Sequence, residues 1–319
     1  MPSPNSAFTD IITTTLQGYS GEIADNITNH NALFKQINKK GNKQFATGRS
    51  IVQELEYAEN STVMWYSGAE TLDISPGETF TAAEYNWKQL AGNVTITGLE
   101  EIQNSGKEAV HNLLRSRIRN LEKSLKNTMA TALYADGTGT NSKEIGGLQL
   151  IVADTPTNSV GGISGGTYTW WKNYVYDFST ELSASATSTN IQKGMNRAWI
   201  NTVRGSDKPD IITADSNRYL DYLESLTPNQ RFTDDKGAGV GFTNLVFQGD
   251  VPVVYDDQCP SKKMYFLNTD YLFLRPKKGR EFVPMGEKSS VNQDALVMPI
   301  YWAGNMTCSN RSLQAVVIE

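Results

Sequence analysis

Residues 99–134 read LEEIQNSGKEAVHNLLRSRIRNLEKSLKNTMATALY, and the rest of the chain is organised around how this stretch folds. Val110, Leu114, Ile118, Leu121, Leu125, Met129, Ala132 and Leu133 recur at the three-and-four spacing of one apolar stripe, which predicts a single long helix. No proline interrupts it, and its only interior glycine, Gly106, sits near the start. Thr97 stands three residues before Glu100, a capping-box spacing, and Glu100 with Glu101 suits the positive end of a helix dipole. At 1.5 Å per residue the helix would run about 50 Å. That is longer than a compact domain of this size needs, so it reads as a spine.

The opposite face of the helix is basic. Lys107, Arg115, Arg117, Arg119, Lys123 and Lys126 stand against only Glu108 and Glu122. A solvated, screened face and a face turned toward a polyanion or acidic neighbouring subunits both fit this pattern.

Around that helix lies an ordinary composition. The 319 residues are 39% hydrophobic and 20% charged, enough for a large core and, by length, for about two domains. Lys+Arg 29 against Asp+Glu 34 gives a net charge of −5, which argues against strong general nucleic-acid binding and leaves room only for local contact. No stretch has the length of a membrane span, and Met1-Pro-Ser-Pro-Asn has neither the basic nor the apolar part of a signal peptide. Two cysteines, Cys259 and Cys308, fit free thiols of a protein made in a reducing cytoplasm.

Taken in order, residues 1–37 read as a polar arm with a short amphipathic piece around Phe8, Ile11, Ile12 and Leu16. Lys35, Lys39, Lys40, Lys43 and Arg49 follow with no acidic residue among them, as a solvated linker or an arm lying on a neighbour or on nucleic acid. Ile51, Gln53, Leu55 and Tyr57 alternate as in a strand. A second extended stretch is expected at 62–66, a turn at Ser75-Pro76-Gly77-Glu78, and a return through Phe80, Tyr85, Trp87 and Leu90 to Val94-Thr95-Ile96. Residues 59–87 thus form a long two-stranded excursion with aromatics but little apolar mass of its own. An isolated hairpin is marginal in water, so a neighbouring chain is the natural cover.

Past the spine, 154–169 is a Gly/Ser/Thr-rich connector ending in Trp170-Trp171, and 190–203 predicts an amphipathic helix with Ile191, Met195, Ala198 and Trp199 on one face. Residues 211–213 predict a buried strand and 216–226 a helix capped by Asp215 or Ser216. Strands are expected at 242–247, 251–255 and 264–267, a strand or turn at 270–274, a polar loop at 284–294, and closing strands at 295–301 and 314–318.

Chemistry is sparse. His30 and His111 are the only histidines, which excludes a multi-histidine metal site and a His-dependent triad. Asp136-Gly137-Thr138-Gly139-Thr140 lacks the Gly-Lys-Ser/Thr ending of a phosphate loop and follows a helix. Asp234-Asp235 and Asp256-Asp257 lack calcium-loop spacing and read as turn carboxylates. Cys259, before Pro260, has no adjacent base. No catalytic, cofactor-binding or metal-binding residue is assigned, and no cofactor is expected.

The order of segments, with Thr167-Tyr168-Thr169-Trp170-Trp171, Ala214-Asp215-Ser216 with Tyr219, and Gly249-Asp250-Val251-Pro252-Val253-Val254-Tyr255-Asp256, resembles the major capsid proteins of tailed bacteriophages, with their HK97-like fold. Phe266-Leu267-Asn268-Thr269-Asp270-Tyr271-Leu272 and Trp302-Ala303-Gly304-Asn305 through Asn310-Arg311 extend the likeness over nearly the whole chain. The resemblance implies an α+β protein: an N-terminal arm (1–51), an extended β-hairpin loop with flanking strands (52–96), a peripheral domain with the spine helix (97–172), an axial α/β domain (173–270), and a return to the peripheral domain (271–319).

It also implies self-assembly into hexamers and pentamers of an icosahedral, DNA-filled virion shell. Scaffolding, portal and decoration or cement proteins would be partners. The arm is too short for a cleaved scaffold segment, which suggests a separate scaffolding protein. No Lys–Asn cross-link set is matched, and no membrane is involved. Candidate inter-subunit residues are Trp65, Tyr66, Phe80, Tyr85 and Trp87; candidate DNA-facing residues are Lys39, Lys40, Lys43, Arg115 and Arg119. An encapsulin-like compartment and a cytosolic enzyme are the alternatives.

Overall fold

The computed structural model describes residues 33, 36–37, 40, 42–99, 107–226, 245–248, 250–284, 288–289 and 294–319. Their elements run in chain order as strands Ile51–Glu56 (β1), Phe80–Tyr85 (β2) and Lys88–Thr97 (β3), then helix Lys107–Tyr134 (α1). Short strands Ser159–Val160 (β4) and Ile163–Ser164 (β5) lead to Tyr174–Asp177 (β6), helices Phe178–Leu182 (α2) and Ile191–Thr202 (α3), strand Ile211–Ala214 (β7) and helix Ser216–Ser225 (α4). Strands Leu245–Phe247 (β8), Val251–Tyr255 (β9), Met264–Leu267 (β10), Leu272–Pro284 (β11), Lys288–Ser289 (β12), Ala295–Cys308 (β13) and Ala315–Ile318 (β14) complete the chain.

α1 is one helix of 28 residues, about 42 Å long. Ile118, Leu125, Met129 and Leu133 are its buried stripe. The capping-box glutamates Glu100 and Glu101 lie outside the described residues. The helix lies against β3, close enough that a Cβ on Gly92 would meet the Leu121 side chain at 2.5 Å. β3 in turn pairs antiparallel with β13 from Thr97↔Ala295 to Lys88↔Gly304. β13 carries β11 and β12 along its other edge, giving a four-stranded sheet.

The second sheet has the order β6-β14-β10-β7-β9-β8. Its inner strands are apolar on both sides, because both faces are covered. Along β10, Met264 and Phe266 join the core shared with α3 and α4, while Tyr265 and Leu267 join the core shared with α1 and the four-stranded sheet. The alternation of a strand therefore divides one element between two cores. Asp215 caps α4, accepting from the Arg218 N–H, and its other oxygen accepts from the Lys262 N–H at 2.8 Å.

Three expectations change. Residues 62–66 form no strand, since nothing pairs with them. Residues 284–294 are not loop throughout: Lys288–Ser289 pairs with β13. Ala315–Ile318, expected with the closing strands, sits instead inside the six-stranded sheet, parallel to β6 and antiparallel to β10. Hydrogen-bond pairing to distant strands, invisible in local pattern, decides its position.

The chain's end is held there by Arg311, which is fully buried. Its Nε donates to the Ile151 carbonyl at 2.7 Å and Nη1 to that of Trp171 at 3.0 Å. Its Nη2 donates to the side-chain oxygens of Asn158 (2.7 Å) and Asn173 (3.0 Å). The guanidinium also lies over the Trp171 ring. Burial lowers its pKa from the ordinary arginine value.

The arm docks on its own chain. Leu33 and Ile37 are fully buried, and the Gln44 and Ala46 N–H groups donate to Leu274 and Pro276 of β11. Lys40 pairs with Asp210 at 3.2 Å and Asp270 at 2.8 Å. Burial pulls Lys40 down, but its hydrogen bond to Asp270 and the Asp210 charge raise its pKa above the ordinary 10.5 overall.

Arg311→Ala is expected to leave three buried acceptors and the half-buried Asn158 oxygen unpaired and to destabilise by more than about 3 kcal/mol, since each orphaned buried group costs roughly 1–3; chemical denaturation measures it. Because the Lys40 pKa is raised on folding, its tether is complete at neutral pH and is lost as pH climbs through a value above 10.5. Amide exchange at residues 42–46 should therefore accelerate in strongly alkaline buffer beyond the intrinsic base-catalysed rise, and Lys40→Met should show the faster exchange already at neutral pH.

Candidate assembly surface

The hairpin β1–β2 keeps register from Ile51↔Tyr85 to Glu56↔Phe80. At its far end the Tyr57 N–H donates to Thr79 at 3.0 Å, and Tyr57 stacks on Trp170 with centroids 5.7 Å apart. Residues 58–78 then leave the body with only local bonds. The Asn60 carboxamide oxygen accepts from Thr62, Glu70 from the Ser67 N–H, and Asp73 from the Ser75 N–H. The Ser75 bonds hold the Asp73 carboxyl below its ordinary pKa.

This excursion exposes what a folded chain ordinarily hides. Trp65 is 100% exposed, Ile74 92% and Val63 83%, with Tyr66 and Phe80 also open. Contiguous apolar exposure of this kind marks a surface awaiting a partner. The excursion is also acidic: 57–79 holds Glu59, Glu70, Asp73 and Glu78 and no lysine or arginine.

The five aromatic candidates separate. Trp65, Tyr66 and Phe80 are open to another chain. Tyr85 is not: it is 5% exposed, and its hydroxyl donates to the Cys308 carbonyl and accepts from the Cys308 N–H. Strand alternation turns it inward, and burial pushes its phenol pKa up. Trp87 is half-buried, donating from Nε1 to Gly48 at 3.1 Å, with Lys277 over its ring.

The basic candidates separate as well. Lys39 lies outside the described residues, and at Arg115 only the helix backbone is described. Lys40 is held by two carboxylates, and Lys43 pairs with Glu281. Lys40 and Lys43 are thus matched by acids far away in sequence, a pairing no local reading finds. Arg119 is exposed on α1, while Arg117 donates to the Thr95 carbonyl of β3.

Two features went unnoticed in the sequence. Pairing of β11 with β13 shifts register between Pro276 and Glu281, so Lys277, Lys278, Gly279 and Arg280 bulge from the strand, with Gly279 at φ +81°. The run Pro276-Lys277-Lys278-Gly279-Arg280 was the available signal. The second is a cleft of about 510 Å³ between α1, the start of β3 and the turn after α1. Its walls come from four separate segments, Trp302 of β13 being the fourth, so no local signal existed.

Asp256, a turn carboxylate, accepts from the Tyr134 hydroxyl at 2.8 Å and from the Gln258 N–H, anchoring α1 to the second sheet. Cys259 and Cys308 are buried free thiols whose pKa burial raises, Cys308 to about 12. Among the described residues no group of three His, Cys, Asp or Glu is placed to hold a metal, and no helix is long and apolar enough to cross a membrane.

Neither a protein-family model nor a curated protein matches the sequence. Solved structures do. The capsid asymmetric unit of cyanophage A-1(L) superposes with a TM-score of 0.65 at 17% identity, covering 87% of this chain and 90% of that one. The capsid of the native GTA particle gives 0.59 at 10% identity over 88% and 89%. The SrpI encapsulin of Synechococcus elongatus PCC 7942 gives 0.55 at 10% over 88% and 86%. With these capsid-shell proteins superposing across nearly the full length, the chain has the HK97-like capsid fold.

Proposed function

We propose that this chain is the major capsid protein of a tailed bacteriophage, assembling from hexamers and pentamers of itself into the icosahedral shell around a double-stranded DNA genome. The observation that carries the reading is the excursion at 58–79, where Trp65, Ile74 and Val63 stand almost wholly exposed on their own subunit, on a fold shared with capsid proteins. An assembling subunit distributes its binding over several neighbours, whose interfaces together exceed the roughly 1,600 Å² of a standard pair. The chain is then a structural protein of the virion, made in the host cytoplasm, with no catalytic role and no cofactor. Scaffolding, portal and decoration or cement proteins would be its further partners.

In this reading 1–51 is the arm, 52–96 the extended loop with its flanking strands, and 97–172 with 271–308 the peripheral domain. Residues 173–270 form the axial domain, to which we assign β14 because of its strand partners. Trp65, Tyr66 and Phe80 are the inter-subunit aromatics. Arg119, with its exposed neighbour Lys123, is the basic pair left for nonspecific DNA contact, since Lys40 and Lys43 are already neutralised. The encapsulin neighbour favours one second reading, a protein compartment on the same fold; DNA density inside purified shells separates the two.

Replacing 60–77 with a short Gly-Ser link spares β2, whose Ala83 is fully buried. It should leave a soluble subunit of unchanged melting temperature that closes no shells in electron micrographs; normal shells would refute the role of the loop. A wild-type chain that stays monomeric at every concentration and turns over a small substrate would overturn the whole reading. Arg119→Ala with Lys123→Ala should change the salt sensitivity of DNA retention by about two counterions' worth of slope without altering base preference. An unchanged slope removes these residues from the DNA face.

A further inference from the structure

The connector that ends in Trp170-Trp171 lies along the β1–β2 hairpin of its own chain and touches it at two places. The first is a tight turn. β4 and β5 are joined by Gly161-Gly162, at φ +61° and +81°, with Val160 opposite Ile163. Positive φ at both central residues is the hairpin geometry that a glycine pair supplies. The Glu84 N–H of β2 donates to the Gly161 carbonyl at 2.9 Å. A Cβ on Gly161 would stand 2.6 Å from that of Ala83 and 3.3 Å from the Tyr85 ring, while one on Gly162 would meet nothing within 4 Å. Gly161 is therefore required for close approach to β2, and Gly162 for conformation alone.

The second contact lies further out. Trp170 stacks on Tyr57 with centroids 5.7 Å apart and 25° between planes, and Trp171 stands behind it at 5.5 Å. Tyr57 is five residues past Val52, the partner of Glu84, or about 17 Å of strand. Two contacts so far apart fix a direction, where one would leave a pivot. The connector is held in turn by the body. Trp171 Nε1 donates to the Val160 carbonyl at 3.1 Å, and Asn158 Nδ2 to that of Leu150 at 2.8 Å. Arg311 then joins its two ends, donating to the Trp171 carbonyl and to the Asn158 side chain.

We propose that this connector is a bracket that sets the angle at which the excursion leaves its own subunit, with Gly161 and Trp170 as positioning residues. The root of the hairpin is fixed independently, by Tyr85 on Cys308 and Gln53 on Arg275. The Tyr57–Trp170 stack is the contact that governs its outer end. The bracket belongs to the single chain; its consequence, that subunits join at one repeated angle and give shells of uniform diameter, rests on the self-assembly reading.

The test uses the full-length chain in dilute solution, with nitroxide labels on Glu78→Cys at the end of the hairpin and Lys193→Cys on α3. Both positions are exposed, whereas the native Cys259 and Cys308 are buried. Pulsed electron resonance reads the distance between the labels, and the parent chain should give one narrow distribution. Trp170→Ala, Tyr57→Ala and Gly161→Ala should each shift or broaden it. Gly162→Ala, strained in the same way but with open space around its Cβ, should not. Trp170→Ala combined with Tyr57→Ala should do no more than either alone, because both act through one stack. Trp170→Tyr keeps a ring to stack and should restore the narrow distribution. Should Gly161→Ala fail to fold, the Trp170 and Tyr57 variants, on partly exposed rings, decide the outcome. A distribution unmoved in both of these overturns the bracket, whatever the chain assembles into. Broadening accompanied by loss of uniform shells in the unlabelled variants supports the bracket and its consequence. Broadening with shells of the parent diameter overturns the consequence. Broadening in a chain whose unlabelled parent never assembles supports the bracket and overturns the shell reading.

Discussion

The constraint on which the rest depends is the burial of one charge without a counter-charge. Arg311 donates to two backbone carbonyls and two asparagine side chains and to no carboxylate. A buried cation is tolerated only when its planar fork is met by acceptors at every side. Those acceptors come from the short helix Leu148–Ile151, the Gly/Ser/Thr connector with Trp171 at its end, and the residue before β6. Meeting them fixes these segments relative to residues 311–319. With Arg311 in place, Gln314 accepts from the Asn268 N–H and donates back to the Asn268 carbonyl. β14 then slots between β6 and β10. The two cores, which share β10 and β14, are locked by the same event.

Against this interior the surface is divided in character. Lys40 and Lys43 of the arm are neutralised by carboxylates of the body, and Leu33 and Ile37 are buried in the main core. The excursion has no such partner. A chain that pairs Lys40 twice and leaves a tryptophan wholly in water concentrates its unsatisfied surface at one projection. On the assembly reading proposed above, that asymmetry leaves the cover of the projection to a neighbouring subunit.

The fold itself does not choose between a phage shell and a protein compartment, because one scaffold serves several assemblies. What discriminates lies on the surfaces: which charges remain unpaired, where they point, and what they enclose. Among the described residues, Lys277, Lys278 and Arg280 of the bulge and Arg119 and Lys123 on the exposed side of α1 make no ion pair, while Lys40 and Lys43 of the arm do.

Much of the fold was legible in the sequence because periodicity is local. The stripe from Ile118 to Leu133, the alternation of Ile51, Gln53 and Leu55, and the capped start of α4 each follow from neighbours within a few residues. The apolar content of 211–214 and 264–267 announced buried strands for the same reason. The candidate surface was half legible. An excursion too poor in apolar mass to fold alone could be read from composition, but which of its aromatics were free could not. Tyr85 and Phe80 look equivalent in sequence; strand pairing turns one into the core and leaves the other in water. The fate of Lys40 and Lys43 depended on Asp210, Asp270 and Glu281, well over a hundred residues away, and the place of β14 on hydrogen bonds to β6 and β10. The sequence by itself determined the longer helices and strands and an excursion too poor in apolar mass to cover itself, because those follow from spacing and composition along the chain. Only the tertiary structure decided which charges are cancelled, which aromatic rings remain exposed and where a cleft opens, because each of these depends on atoms brought together from distant parts of the chain.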